Sequence, residues 1–292
     1  MVIQWFPGHM AKATREVKEK LKLVDIVFEL VDARCPLSSH NMYLDEVVKD
    51  KKKIIIFNKI DLCDRKETVK WKNYFENKGY VVVYTDAKNS NNLNKVIDKA
   101  KEELAEKIAR QVAKGIKPRA IRSMVIGVPN VGKSTFINKL IKKNVANTAN
   151  KPGVTKKQQW LKLNKDIELL DTPGILMPKF DNQEIGKKLS LIGSIKDDIT
   201  PLDDVSLYLI ELLKNNYLEN LNNHYKLNVK AEDENLTIME KIAEKRFKKI
   251  GGDYDYDSTI KLLIQDFRTQ KFGLITLDNY NEIVNNEESY ED

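Results

Sequence analysis

The sequence predicts an α/β domain built on a mostly parallel sheet with helices on both faces, followed by a small all-α domain. Three observations carry this. Short apolar runs with little polar alternation recur through the first two-thirds of the chain, the pattern of strands buried on both faces. Stretches of helical periodicity separate them, as crossovers between parallel strands require. Beyond about Pro201 the strand patterns vanish and only helical spacing remains.

Asp25–Val31 ends in Asp32-Ala33-Arg34 and reads as the first strand. Lys53–Phe57 is a buried strand, and Arg65–Lys78 after it is amphipathic. Tyr80–Tyr84 is a third strand, and Asn92–Lys114 a long helix. Ser123–Gly127 is a fourth strand that runs into a helix at Lys133–Lys143. Gln159–Leu163 and Ile167–Leu170 suit a hairpin across Asn164-Lys165. In the last third, Leu207–Leu213, Thr237–Ile250 and Thr259–Arg268 have helical spacing, with Gly251-Gly252 stopping one helix. Leu274–Leu277 forms a short stretch after Gly273. The expected boundaries are 1–180 for the α/β domain, 181–200 for a connector, 201–284 for the helical domain and 285–292 for a frayed acidic tail.

Composition narrows the function classes. The 292 residues are 41% hydrophobic, enough for real cores, so wholesale disorder is excluded. No apolar run approaches the ~18 residues of a membrane span. The first twenty residues mix Lys, Arg and Glu and fit no signal peptide. Two cysteines, Cys35 and Cys63, make neither a disulfide framework nor a zinc site. The expectation is a cytoplasmic monomer with no membrane partner. A net charge of +7 allows an anionic partner without naming one.

The chemistry lies in four short motifs. Gly127-Val-Pro-Asn130-Val131-Gly132-Lys133-Ser134 fits G-x-x-x-x-G-K-[ST] between a predicted strand and a predicted helix. Backbone N–H groups and the helix N-terminus there cradle phosphates. Lys133 would reach the outer phosphates and the Ser134 hydroxyl would hold magnesium. Asn58-Lys59-Ile60-Asp61 directly follows a strand and fits N-K-x-D. A carboxylate at Asp61 accepts two hydrogen bonds from guanine's ring N–H and exocyclic amine. Adenine lacks that donor pair and would leave the acceptor unpaired. Lys59 offers its aliphatic stem to the base. Asp171-Thr-Pro-Gly174 fits D-x-x-G, with Asp171 near magnesium and the Gly174 N–H on the terminal phosphate. Thr155, between these last two motifs, would complete the magnesium shell.

The order of the motifs is unusual. In a Ras-like GTPase the phosphate loop precedes the guanine motif; here Asn58–Asp61 precedes Gly127–Ser134. With the opening Ile3-Gln-Trp-Phe-Pro-Gly-His-Met10, the Val31-Asp-Ala-Arg34 motif with Pro36, and Asp266-Phe-Arg268 in the helical part, the chain resembles the circularly permuted GTPases of ribosome assembly over nearly its whole length. That resemblance implies a circularly permuted Ras-like P-loop domain that binds GTP and GDP. It also implies slow turnover, stimulated by a precursor of the large ribosomal subunit and its rRNA. By the same resemblance Asn58, Lys59 and Asp61 bind the base, and Asn130, Val131, Gly132, Lys133, Ser134 and Thr135 form the phosphate loop. Gly174 meets the terminal phosphate, and Asn130 matches an asparagine that coordinates potassium (K+) in related GTPases. The family's last base-side loop reads Ser-Ala; here it is Asp86-Ala87, so Asp86 departs from the pattern. Ser134, Thr155 and Asp171 are the implied Mg2+ residues.

Ras-like enzymes place a glutamine after D-x-x-G to orient the attacking water; here the residue is Ile175, which cannot hydrogen-bond water. His9, behind a Pro-Gly turn in an aromatic-flanked motif, is the candidate for water orientation, with Lys133 and Thr155 completing the catalytic set. A structural role at a turn is the other reading of His9. His40 and His224 read as plain loop residues. Permutation runs the chain from Asp171–Gly174 straight into the helical domain, so ordering of 175–199 by the terminal phosphate would re-aim that domain. Basic charge concentrates in 101–122, with a local excess of four, and in 240–249, with an excess of three. Each is either a solvated helix face or an RNA phosphate-binding face. Two other functions stand beside the GTPase: an RNA-binding assembly factor with a vestigial nucleotide site, and a phosphate-loop kinase.

Overall fold

A computed structural model describes residues 15, 17–141, 159–163, 166–171, 182–249 and 251–288. Its six-stranded sheet has the order β3-β2-β1-β4-β6-β5. The strands are β1 (Ile26–Asp32), β2 (Lys52–Asn58), β3 (Val81–Tyr84), β4 (Ile121–Gly127), β5 (Gln159–Lys162) and β6 (Ile167–Asp171). Every neighbouring pair is parallel except β5 with β6, which is antiparallel, as the hairpin pattern predicts. On β2, Ile54 and Ile56 join one buried cluster while Ile55 and Phe57 join another. Apolar residues are therefore needed at consecutive positions, and that is why these strands do not alternate.

Helices α2 (Arg65–Asn77), α3 (Leu93–Ala113) and α4 (Lys133–Ile141) follow β2, β3 and β4. Trp71 and Phe75 of α2 fill one face; Val96, Ala100 and Leu104 of α3 and Phe136 and Ile137 of α4 fill the other. Right-handed crossovers require this two-sided cover. Asp64 starts α2 by accepting from the Lys66 N–H at 2.8 Å. The register brings the carboxyl ends of the central strands level, with Asp32 of β1 opposite Asn58 of β2 and Leu30 opposite Gly127 of β4. The loops after β1, β2 and β4 thus open at one edge, where parallel sheets bind ligands.

The last third is helical: α5 (Gln183–Leu191), α6 (Leu202–Asn216), α7 (Leu218–Tyr225), α8 (Asn235–Arg246), α9 (Tyr256–Arg268) and α10 (Tyr280–Glu288). Together with α1 (Met42–Val48), the helices α5, α7 and α10 are ones the sequence pattern does not announce. Two ends also differ from expectation. Helix α8 stops at Arg246 because Phe247 is extended (φ −131°, ψ 153°), so Gly251 and Gly252 lie in a later turn and do not end it. Helix α10 reaches Glu288, so 285–288 are helical rather than frayed.

This segment is joined to the sheet by buried polar groups. Asp278, fully buried, accepts from the Leu37 and Ser38 N–H groups at 2.8 and 2.9 Å and from Ser38 Oγ at 2.6 Å. Lys188 of α5 pairs with the same carboxylate at 3.2 Å, and Trp71 Nε1 donates to the Asp278 carbonyl at 2.8 Å. Arg268 donates to the Ser190 and Leu191 carbonyls, completing the C-terminus of α5.

His40 is not a plain loop residue. It is buried between Glu29 (Nδ1, 3.0 Å) and Asp45 (Nε2, 2.9 Å), and Lys53 pairs with both carboxylates. Two carboxylates facing His40 and Lys53 balance when the imidazole is charged, so this acid–histidine group needs no metal ion. Burial opposes the charge, but Glu29 and Asp45 outweigh it and raise the His40 pKa to about 9. Glu29 falls to about 2 despite its burial, chiefly through His40 and Lys53. His40 therefore stabilises the fold fully below pH ~6.5, by at most about 3 kcal/mol, and this is lost as pH rises through 9. Glu29 contributes above its unfolded pKa and loses its contribution as pH falls toward 2. Urea unfolding at pH 7 and pH 10 should show a stability drop in the native sequence and a much smaller one in His40→Gln.

Candidate nucleotide-binding site

The phosphate-loop sequence forms the connection predicted for it, between the end of β4 and the first turn of α4. Two of its glycines are required by geometry. Gly127 has φ +148°, and a Cβ there would lie 2.4 Å from the Leu30 carbonyl oxygen. Gly132 has φ +99°, and a Cβ would lie 2.5 Å from Asn58 Nδ2. Val131 between them is buried. Lys133 is buried too, and its ammonium donates to the Gly127 and Val128 carbonyls at 3.0 and 2.9 Å. Ser134 and Thr135 are half-buried on the first turn of α4. The N–H groups at the start of a helix and its positive dipole end favour an anion there.

The guanine motif is tied directly to this loop. Asn58 Nδ2 donates to the Val131 carbonyl at 2.9 Å. Asn58 Oδ1 accepts from Thr85 Oγ1 at 3.2 Å and from the Ala87 N–H at 3.1 Å. One carboxamide therefore holds three loops in register. Lys59, at φ +61°, sends its ammonium to the Asn130 carbonyl at 2.7 Å and to Asp32 at 2.9 Å. Asp61 is half-buried at the same edge. Burial, and then the neighbouring Asp86 carboxylate, raise its proton affinity above that of an ordinary aspartate. A ligand that brings two N–H donors relieves both penalties.

Asp86 is engaged within its own loop. Its carboxylate accepts from the Asn89 N–H and Nδ2 at 3.1 and 2.6 Å, and its backbone pairs with that of Asn91. The side chain that stands where the family has serine thus shapes its own loop, beside the buried Ala87 whose N–H is held by Asn58. Asn130, at φ +60°, donates from Nδ2 to the Ile192 carbonyl at 3.2 Å, and Ser194 Oγ donates to the Pro129 carbonyl at 2.6 Å. The turn after α5 is in this way fastened to the phosphate loop.

The structure brings together Asn58, Lys59, Asp61, Asp86, Ala87 and the phosphate loop. It places Asp171 at the end of β6, opposite Val125 of β4. The side chain of Asp171, and His9, Thr155 and Gly174 altogether, lie outside the described residues. Sequence reasoning missed Thr85, Ser194 and the Asp32–Arg34 pair. Only the Asp32-Ala33-Arg34 motif had signalled anything beforehand. Gly132→Ala should weaken GDP binding by about tenfold or more, because the new methyl displaces a carboxamide held by three partners. Titration with a fluorescent GDP analogue measures it, with unfolding temperature as the control for the fold.

The family described as RsgA GTPase matches residues 21–181, and the one described as 50S ribosome-binding GTPase matches 122–245. Ribosome biogenesis GTPase A of Bacillus licheniformis is 48% identical over 95% of this chain and 98% of its own length. The probable ribosome biogenesis GTPase A of Mycoplasma genitalium is 31% identical over 94% and 96%. Among solved structures, GDP-bound TM YlqF superposes with a TM-score of 0.64 at 28% identity, covering 91% of this chain and 100% of that one. GNP-bound YlqF from T. maritima gives 0.62 at 28% identity, covering 92% and 98%. With this fold, this site and such identity over nearly its whole length, the chain is a GTPase and belongs to the ribosome biogenesis GTPase A family.

Proposed function

We propose that the protein binds and hydrolyses GTP as a cytoplasmic assembly factor in late maturation of the large ribosomal subunit. The observation that carries the nucleotide assignment is the Asn58 carboxamide, which joins the guanine motif, the phosphate loop and the Ala87 loop at one sheet edge. Asn58, Lys59, Asp61 and Ala87 take the base; Asn130 to Thr135 take the phosphates, and Gly174 the terminal one. Asp61→Asn replaces an acceptor by a donor and should shift preference from guanine to xanthine nucleotides, read in competition binding. Full retention of GTP affinity would remove the guanine assignment.

The donor set suits magnesium: Ser134 lies in the first turn of α4 beside the phosphate loop, and Asp171 ends the strand next to β4. Ser134, Thr155 and Asp171 would hold the ion, which neutralises charge on the phosphates. Asn130 commits Nδ2 to Ile192, so Oδ1 is its atom for potassium. With Ile175 in place of a glutamine, water orientation falls to His9, and turnover is slow until the ribosomal particle orders the site. The decisive measurement is GTP turnover with and without purified large subunits, in potassium and in sodium. Stimulation by the particle is expected. His9→Ala should keep nucleotide affinity and lose most of that stimulation; an unchanged stimulated rate takes His9 out of the mechanism.

Of the two basic segments, the second is the better RNA face. In 101–122, Lys107 and Arg119 pair with Asp25, Lys101 with Asp166, Arg110 with Glu106 and Arg122 with Glu168. In 240–249 only Lys241 has an acidic partner, Asp233, among the described residues. Lys245, Arg246, Lys248 and Lys249 are exposed, with Arg246 over the Tyr225 ring and Lys249 over the Tyr254 ring. Cations without carboxylate partners can neutralise phosphates and so release the counterions condensed on them. Among the described residues no helix is long and apolar enough to cross a membrane.

A further inference from the structure

We propose that Asp32 is a positioning residue for guanine-nucleotide binding, acting through Lys59, with Arg34 fixing its carboxylate. The proposal rests on the assignment of Lys59 to the nucleotide site.

Asp32 ends β1 and is fully buried. Three N–H groups of Arg34 point at it: the backbone N–H at 3.1 Å, Nε at 2.9 Å and Nη2 at 2.8 Å. The two side-chain bonds form a planar fork, which allows the carboxylate one orientation. That orientation presents Oδ2 to Lys59 Nζ at 2.9 Å. Arg34 is itself held in place: its guanidinium lies 5.4 Å from the Phe267 ring centroid, and its carbonyl accepts from the Leu277 N–H at 2.6 Å.

Lys59 needs such a partner. Its backbone is in the left-handed region, which a lysine adopts only under constraint. Its ammonium is gripped from two sides, by Asp32 and by the Asn130 carbonyl. Between those grips the side chain passes Gly132, with Cε 4.0 Å from where a Cβ would stand. The stem that should lie against the base is thus stretched between β1 and the phosphate loop. Without Asp32 only the Asn130 carbonyl remains to aim it. A bare Asp32–Arg34 pair would satisfy burial alone; the third partner makes it part of the site.

The test compares Asp32→Asn, the charge-balanced double variant Asp32→Asn/Arg34→Met, and Lys59→Ala. The readouts are the dissociation rate of a fluorescent GDP analogue, KM and kcat for GTP, and unfolding temperature. Both Asp32 variants should release GDP about tenfold faster and raise KM similarly, with kcat kept within about twofold since Lys133 and Ser134 are untouched. A purely structural role would lower kcat through loss of active protein and leave KM unchanged. Native dissociation rate and KM in either folded Asp32 variant overturn the proposal, as does failure of both to fold. If Lys59→Ala also releases GDP at the native rate, the nucleotide-site assignment of Lys59 falls instead. If Lys59→Ala is fast and the Asp32 variants are native, only the role of Asp32 falls.

Discussion

Asn58 uses both ends of its carboxamide on other loops: Nδ2 on Val131, 73 residues away, and Oδ1 on Thr85 and Ala87, nearly 30 away. The group is buried, so each lost partner would leave a polar atom unpaired at a cost of about 1–3 kcal/mol. The strand register makes the arrangement possible. Because β1 pairs in parallel with both β2 and β4, the carboxyl ends of all three strands lie at one edge whatever their order in the chain. Circular permutation changes which loop is made first and leaves untouched which loops meet. A guanine motif that precedes its phosphate loop therefore builds the same kind of pocket as one that follows it.

The described residues include several buried, paired charges. Asp32, Arg34, Glu29, His40, Lys188 and Asp278 are all buried, and each is paired. Such pairs add little net stability over apolar packing, because desolvation offsets their attraction. Removing one partner, however, costs about 3–5 kcal/mol, since the other charge is stranded. Their effect is to make one arrangement of elements far better than its neighbours. Asp278 shows this: shifting α10 by one residue would take its carboxylate from the Leu37 and Ser38 N–H groups and leave Lys188 only Glu184 of its own helix.

What the sequence disclosed follows from the range of the forces involved. The strands, the long helices α2 and α3, and the motif residues Asn58, Lys59, Gly132 and Lys133 are set by local pattern or by chemistry shared with other phosphate sites. Helices α1, α5, α7 and α10 are short and carry much polar surface; α7, for instance, buries only Leu221 and Tyr225. No periodicity survives over so few residues. His40 looked plain because Glu29, its partner on β1, is brought to it by the fold, and Asp45, five residues on, shows as a partner only once that burial is known. Asp278 and Ser38 are 240 residues apart, and no spacing rule connects them. The local excess of 101–122 is likewise met partly from elsewhere, since Asp25, Asp166 and Glu168, which pair with four of its cations, lie outside the segment.

The same contacts bear on how nucleotide state would reach the helical segment. Of the stretch 175–199 expected to order with the terminal phosphate, residues 182–199 already form α5 and a tight 3-10 turn. Leu189, Leu191, Ile192 and Ile195 are packed into the main core with Leu209 and Leu213 of α6. The turn after α5 is bonded to the phosphate loop at Pro129 and Asn130, and Arg268 of α9 closes the same turn. Swinging the helices as a body would open that core, take Asp278 from the Leu37 and Ser38 groups it accepts from, and take the Phe267 ring from the Arg34 guanidinium. These contacts therefore oppose a rigid-body swing of the helices on the sheet. The hydrogen bonds at Asn130 and Ser194 are where the phosphate loop meets that turn, so any coupling between the two would have to pass through them or through the core beside them.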